Sequence, residues 1–329
     1  MAQNSQNSAK NIVFLLVIIA AFFAGSVWSK RANVNQPGQV ESSQTQEAGQ
    51  TATGEAVDFA VTKSSKPNIK FFVMSFCPFG NQAEAGLKPV VDLLGNAVDW
   101  EPRYVVQKTN NEQLSSMCEA QVYSEEKCKQ YVEQGYFQDA DSCKQTLPAT
   151  ADQCLTQETA ECMATKDGSY YCSLHGKKEL NQDIREICAW NLTDDKSKWW
   201  SFISSVNNNC SLEEVDQCWQ AQAEQAGIDQ QKVQECFNND AVKLLDVEVA
   251  ADEKFSVTSS PTVLINDQPY PPETAWQGGS LKMGDKTLKV EEFRSPEGFK
   301  TAICAAFDKE PKECKETLSL ISNASGSCN

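Results

Sequence analysis

The chain has 329 residues, enough for one large domain or two ordinary ones. A net charge of −16 and a pI near 4.6 exclude a nucleic-acid binder, because nothing basic would neutralise phosphates. Fourteen cysteines, a single histidine (His175) and no C-x-x-C pair exclude zinc knuckles, so no metal and no other cofactor is expected. That many cysteines imply disulfides in an oxidising compartment.

Residues 1–10 read as a cytoplasmic N-terminus, and residues 11–28, "NIVFLLVIIAAFFAGSVW", as a membrane segment. The apolar run of roughly 17 residues spans a bilayer with little tilt. An uncleaved anchor is favoured over a cleaved secretory signal, for which Ala24-Gly25-Ser26 supplies small residues. Residues 29–66 are Gln, Ser, Thr, Gly, Ala and Glu with few large apolar residues, a composition expected of a flexible linker. The folded domain is expected over 67–310, outside the cytoplasm (periplasmic, extracellular or lumenal), with 311–329 as a tail.

"IKFFVM" (69–74) lacks alternation and reads as a strand buried on both faces. Cys77-Pro78 opens a helix, since proline suits the first helical position. Leu87, Val90, Val91 and Leu94 mark its face, Gly95 its stop, and Pro89 a bend. "AVDWEPRYVV" (97–106) is the next strand, completing a βαβ unit.

From about 107 to 245 strand signals vanish and short helices with thin apolar stripes appear. Ser211 and Glu214 offer a capping box to a helix faced by Leu212, Val215 and Trp219 and stopped by Gly227. "SEEKCKQYVEQG" and "DQQKVQECFNND" are similar. Such helices need covalent help, and Cys118, Cys128, Cys143, Cys154, Cys162, Cys172, Cys188, Cys210, Cys218 and Cys236 are the disulfide candidates there, in a connectivity the sequence leaves open. Beyond this insertion, Pro261 leads a Thr-Val-Leu-Ile strand into an Asn266-Asp267 turn, and "GDKTLKVEEF" adds a further short strand. Ser295-Pro296 starts a last helix, whose Cys304 is expected to clip the tail through Cys314.

The strand–Cys-Pro–helix opening at Cys77, the Ser260-Pro261-Thr262 entry to a strand and the long insertion between them resemble the DsbA-like branch of the thioredoxin fold. The resemblance implies an α/β, thioredoxin-like fold with a large disulfide-rich helical insertion, and the apolar run at 11–28 sets one N-terminal transmembrane helix before it. It also implies a cis Pro261 facing a nucleophilic Cys77, with Pro78, Phe79, Ser260, Pro261 and Thr262 presenting substrate. "CSLHGKKELNQDIREIC" (172–188) is distantly similar to the Cys-x-His-Gly-x-x-Glu … Cys signature of gamma-interferon-inducible lysosomal thiol reductases, through Cys172, His175, Gly176, Glu179 and Cys188. That similarity implies disulfides at Cys172 and Cys188.

Both families use C-x-x-C, whereas this chain has Cys77-Pro-Phe-Gly80. A thiol at a helix N-terminus is expected to be exposed and to ionise easily, because unpaired N–H groups and the helix dipole favour the thiolate. The leading expectation is therefore a membrane-tethered, extracytoplasmic thiol–disulfide oxidoreductase or isomerase with Cys77 as sole nucleophile. Its partners would be cysteine-containing proteins or peptides and a membrane redox protein. The alternative is a redox-inactive binding or chaperone-like module. His175 is expected to satisfy local backbone, without an evident partner, and Trp199-Trp200 to pack the insertion. With Cys77 set aside the remaining cysteines are odd in number, leaving one, such as Cys328, unpaired or acting as a remote resolving thiol.

Overall fold

The computed structural model describes residues 56–321. The expected membrane segment, most of the linker, and Cys328 lie outside them. Among the described residues no helix is long and apolar enough to cross a membrane. These residues form two compact units, one of Thr109–Glu161 and one of the chain up to Lys108 together with Cys162 onward.

In the larger unit, β1 (Val57–Asp58) is followed by β2 (Asn68–Val73), α1 (Pro78–Leu94) and β3 (Asp99–Tyr104), the expected βαβ order. β4 (Gln107–Asn110) leads into the smaller unit. That unit holds α2 (Asn111–Gln121), α3 (Glu125–Glu133), α4 (Ala140–Thr146) and α5 (Ala151–Ala160). Asn110, Ser124, Asp139 and Thr150 cap these helices, each side chain accepting a backbone N–H of the first turn. Their apolar core is small: Cys128, Cys143 and Leu147, with Tyr123, Tyr131 and Phe137 against them. Disulfides Cys118–Cys154 and Cys128–Cys143 tie α2 to α5 and α3 to α4. Each contributes about 2–4 kcal/mol by restricting the unfolded chain, comparable to what so small a core supplies.

The chain re-enters the larger unit through β5 (Met163–Ala164) and β6 (Ser169–Cys172), an antiparallel hairpin closed by Cys162–Cys172. Strands thus return inside the stretch expected to be purely helical. Gly168 at φ 86° supplies the turn that the flanking residues cannot adopt cheaply. Then come α6 (Lys177–Leu192), α7 (Lys196–Asn209), α8 (Val215–Gln225) and α9 (Gln230–Phe255). The expected capping box does not form. Helix α8 starts at Val215, Glu214 makes no side-chain cap, and the Ser211 hydroxyl reaches the Glu214 carboxylate instead of a backbone N–H. Cys188–Cys236 links α6 to α9, and Cys210–Cys218 closes the turn from α7 to α8.

β7 (Thr262–Ile265) and β8 (Gln268–Tyr270) complete a four-stranded sheet ordered β3-β2-β7-β8. β2 runs parallel to β3 (Asn68↔Asp99 to Val73↔Tyr104) and antiparallel to β7 (Ile69↔Ile265 to Phe72↔Thr262). Asn266 and Asp267 make the β7–β8 turn at φ 48° and 64°, as the sequence indicates. The sheet is covered on both faces, which is why β2 does not alternate. Ile69, Phe71 and Val73 join the main core with Leu87, Val90, Trp199 and Trp200, Phe71 stacking on Trp200 at 5.4 Å. Phe72 and Leu264 belong to a second cluster with Met74, Cys77, Val105 and Val257, against which Phe255 packs.

After α10 (Glu273–Gly278), β9 (Ser280–Met283) and β10 (Lys286–Lys289) pair antiparallel, and β1 adds in parallel through Val57↔Leu281. Residues 57–66, expected in the linker, are therefore part of the fold. α11 (Pro296–Ala305) follows, capped by Ser295 and packed on α1. A Cβ on Gly86 would lie 2.2 Å from the Arg294 carbonyl and 2.9 Å from the Phe299 ring, so this approach demands glycine. Cys304–Cys314 ties down the chain after α11, and Glu297 accepts the Leu318 N–H, so residues 311–319 are anchored.

Candidate functional site

Cys77 is the N-cap of α1, at the end of the loop that leaves β2. The loop hangs on two buried carboxylates of α6. Ser75 donates its N–H to Asp183 Oδ1 at 2.9 Å and its hydroxyl to the same oxygen. Phe76 donates its N–H to Glu179 Oε1, also at 2.9 Å. Glu179 further accepts from the Ser173 hydroxyl (2.6 Å) and the His175 N–H (3.0 Å), and its Oε1 lies 2.8 Å from His175 Nδ1. His175 therefore has a specific partner. Burial opposes its positive charge, but the hydrogen bond and charge of Glu179 prevail and raise its pKa.

Around these groups lies a buried acidic layer. Burial first, then the Glu179 charge, push Asp183 well above the usual carboxylate range. Burial pushes Glu186 up to about 7, although Gln182 and the Tyr104 hydroxyl donate to it. Glu84 of α1 is raised by burial and by Glu186, with Asn207 donating to it at 2.7 Å. Among the described residues no three His, Cys, Asp or Glu side chains are grouped to hold a metal ion.

The structure brings Cys77 and the Ser260-Pro261-Thr262 segment together. The Ser260–Pro261 peptide is cis. The Cys77 thiol donates to the Ser260 carbonyl at 3.4 Å, and the Ser260 hydroxyl accepts the Met74 N–H at 3.0 Å. Gly80 lies beneath that hydroxyl: a Cβ there would come within 2.8 Å of Ser260 Oγ and 3.4 Å of Cys77 Cβ. The position three residues after Cys77 is thus shared between a glycine and a serine side chain from the opposing loop. Phe79 is 50% exposed, and Pro78 and Thr262 are partly buried.

The exposed, easily ionised thiol expected at the helix start is not what forms. Cys77 is 6% exposed, within the apolar cluster of Phe72, Met74, Val105 and Leu264. Burial raises its pKa above that of an ordinary thiol, and the Glu179 charge adds to this. The Ser260 side chain and the Gly80 and Phe79 N–H groups act in the opposite direction, as a helix N-terminus should, but desolvation outweighs them. All twelve disulfide candidates are paired, and Cys77 is the free cysteine among the described residues. No remote resolving thiol is present within them.

Residues 107–275, just over half of the chain, match the family model described as the vacuolar sorting receptor thioredoxin-like domain. The chain belongs to that family. Its thioredoxin-like domain is mixed α/β and rich in disulfides, and the six bridges place it in an oxidising, extracytoplasmic compartment. The chain is 24% identical over 244 residues to Vacuolar-sorting receptor 2 of Arabidopsis thaliana, a match covering 64% of this chain and 36% of the receptor. It therefore spans about a third of that relative's length. Among solved structures, a 2-hydroxychromene-2-carboxylate isomerase aligns with 12% identity and TM-score 0.34, over 62% of this chain and 87% of the other. A candidate protein-disulfide isomerase of Pseudomonas syringae aligns with 11% identity and TM-score 0.32, over 65% and 93%.

Glu179 and Asp183 are the site residues that sequence reasoning missed in role. Glu179 stood in the thiol-reductase-like signature, and that was the available signal. Asp183 had none, since its partner Ser75 is 108 residues away.

Proposed function

We propose that this chain is an extracytoplasmic, receptor-type binding module, a thioredoxin-like domain that holds a polypeptide partner without turning over disulfides. The carrying observation is the fit of Gly80 under the Ser260 hydroxyl beside a buried Cys77. Disulfide turnover needs a thiolate to attack and a second thiol to release the mixed disulfide. Here the thiol is held protonated by burial, and every other described cysteine is already bridged. Membership of a sorting-receptor family supports capture of a ligand over catalysis. Residues 11–28 would tether the module to a membrane with the domain on the non-cytoplasmic side, the side that disulfides require. Insulin reduction and scrambled-ribonuclease refolding by the full chain and by Cys77→Ser test this. Background rates in both proteins are expected, and activity in the native chain that disappears in Cys77→Ser would overturn it.

A second reading, single-cysteine exchange through Cys77, is favoured by one observation: the Phe79 and Gly80 N–H groups at the helix start oppose the rise that burial imposes on the thiol's pKa, so a partner that uncovered the sulfur would find its thiolate supported. Attack on a partner disulfide would leave a mixed disulfide for an outside thiol to resolve. Incubation with glutathione disulfide separates the two readings. A glutathione adduct on Cys77 in the native chain supports exchange, and an unmodified Cys77 supports the binding module.

A further inference from the structure

Resting on the binding-module reading, we propose that Arg294, flanked by Phe79 and Trp276, is the anchor for the partner, and that it takes an aspartate or glutamate side chain from an extended acidic segment. The Arg294 guanidinium carbon lies 5.3 Å from the Phe79 ring centre and 5.1 Å from that of Trp276. Both rings are open to solvent, at 50% and 38% exposure, and Phe79 belongs to the same helical turn as Cys77. The arginine's own backbone is pinned, since its carbonyl is seated against Gly86. Trp276 is held edge-on against buried Phe293 at 5.2 Å. The three side chains therefore form a positioned surface.

The half-buried guanidinium makes no hydrogen bond or ion pair with a carboxylate among the described residues; burial opposes its charge and an attraction to the nearby Cys77 sulfur offsets this only in part. The other two described arginines both hold carboxylates: Arg103 pairs with Glu101 and Glu248, and Arg185 with Asp216. With 45 acidic residues against 29 Lys and Arg in the chain, an arginine left without a carboxylate stands out. Aromatic rings stabilise a guanidinium through its faces and leave its in-plane N–H fork free. The group that matches this fork, accepting two parallel hydrogen bonds, is a carboxylate. Phe79 and Trp276 would cover apolar neighbours in the same segment, displacing water from around the ion pair.

The test is binding of the full chain, kept in mild detergent, to an array of random 12-residue peptides with amidated C-termini and to the same array with free C-termini. The net charge of −16 attracts basic peptides non-specifically, so selection for Asp and Glu cannot arise from the overall field. The expected result is enrichment of Asp or Glu beside apolar residues on the amidated array, lost by about tenfold or more in Arg294→Gln. Partial recovery is expected in Arg294→Lys, which keeps the charge without the fork. Weaker binding is expected in Trp276→Ala, with thermal unfolding confirming that each variant is folded. Peptides bound with no acidic preference, or with one that Arg294→Gln leaves intact, would overturn the Arg294 assignment while leaving the binding module standing. Binding confined to free C-termini would overturn the side-chain assignment in favour of a terminal carboxylate. No peptide bound on either array would overturn both.

Discussion

Ser260 and Gly80 are fitted to one another across the site: any Cβ on Gly80 would stand 2.8 Å from the Ser260 hydroxyl, which accepts the Met74 N–H. The space beside Gly80 is filled by the Ser260 hydroxyl of the opposing loop, which the Met74 N–H holds in place. Yet the Gly80 Cβ position is 3.4 Å from Cys77 Cβ, close to the separation that a disulfide uses. Gly80→Cys alone is thus expected to cost about 1–3 kcal/mol through overpacking. Gly80→Cys with Ser260→Ala is expected to close a bridge between Cys77 and the introduced thiol on oxidation. Thiol titration and peptide mapping check this, and a double variant that keeps both thiols free would show that the loop geometry, not the serine, blocks the bridge.

Glu179 is expected to hold the Cys77 loop in place. Replacing it by alanine strands the Phe76 and His175 N–H groups and the Ser173 hydroxyl. Unsatisfied buried groups cost roughly 1–3 kcal/mol each, so Glu179→Ala should destabilise by about 3 kcal/mol or more and speed alkylation of Cys77. Glu179→Gln, which keeps one acceptor oxygen, should lose less. Denaturant titration and alkylation rates measure both effects, and a Glu179→Ala protein with native stability would contradict the assignment.

Stability should fall as pH rises from acid to neutral. A carboxylate whose folded pKa is raised binds its proton more tightly when folded. Its stabilisation is complete below the unfolded pKa and is lost as pH passes through the folded one. For Glu186 that window runs from 4.5 to about 7, and for Asp252, raised chiefly by burial, from 3.8 to about 8. The Glu186 contribution is of the order of 3 kcal/mol. Urea midpoints at several pH values should decline across this range, with a shallower slope in Glu186→Gln. An increase in stability from pH 5 to 8 would contradict the sign.

The smaller unit should depend on its bridges. Cys128→Ser with Cys143→Ser removes a closure of 15 residues from a unit with a minor core, a loss of about 3 kcal/mol. Limited proteolysis is expected to cut within 109–161 while the larger unit survives. Cleavage at the native rate would show that the helices stand without the bridge.

Much of this fold is written in local pattern. The apolar run of β2, the Cys77-Pro78 start of α1, the Asn266-Asp267 turn and the Ser295-Pro296 start of α11 each rest on a backbone preference that acts within a few residues. Several short strands escaped, among them β1, whose partner Leu281 lies more than 200 residues on, and β6, where Tyr170-Tyr171 after Asp167-Gly168 was a legible hairpin signal. The site was legible in its parts, Cys77 and Ser260-Pro261, but not in its balance. A helix N-terminus is local and predicts a thiolate, whereas the burial that defeats it comes from Val105, Val257 and Leu264 on other elements. Glu179, 103 residues from Phe76, and Arg294, distant from Phe79 in sequence, are joined to the site only by tertiary packing.

Whether Cys77 is a buried, unactivated thiol is decided by its rate of alkylation by iodoacetamide against pH in the native full chain. A rate far below that of a small free thiol at neutral pH, with a midpoint above that thiol's, is predicted, the ordinary rate returning on denaturation. Rapid native alkylation with a midpoint at or below that of a free thiol would overturn the binding-module reading and restore Cys77 as an activated nucleophile.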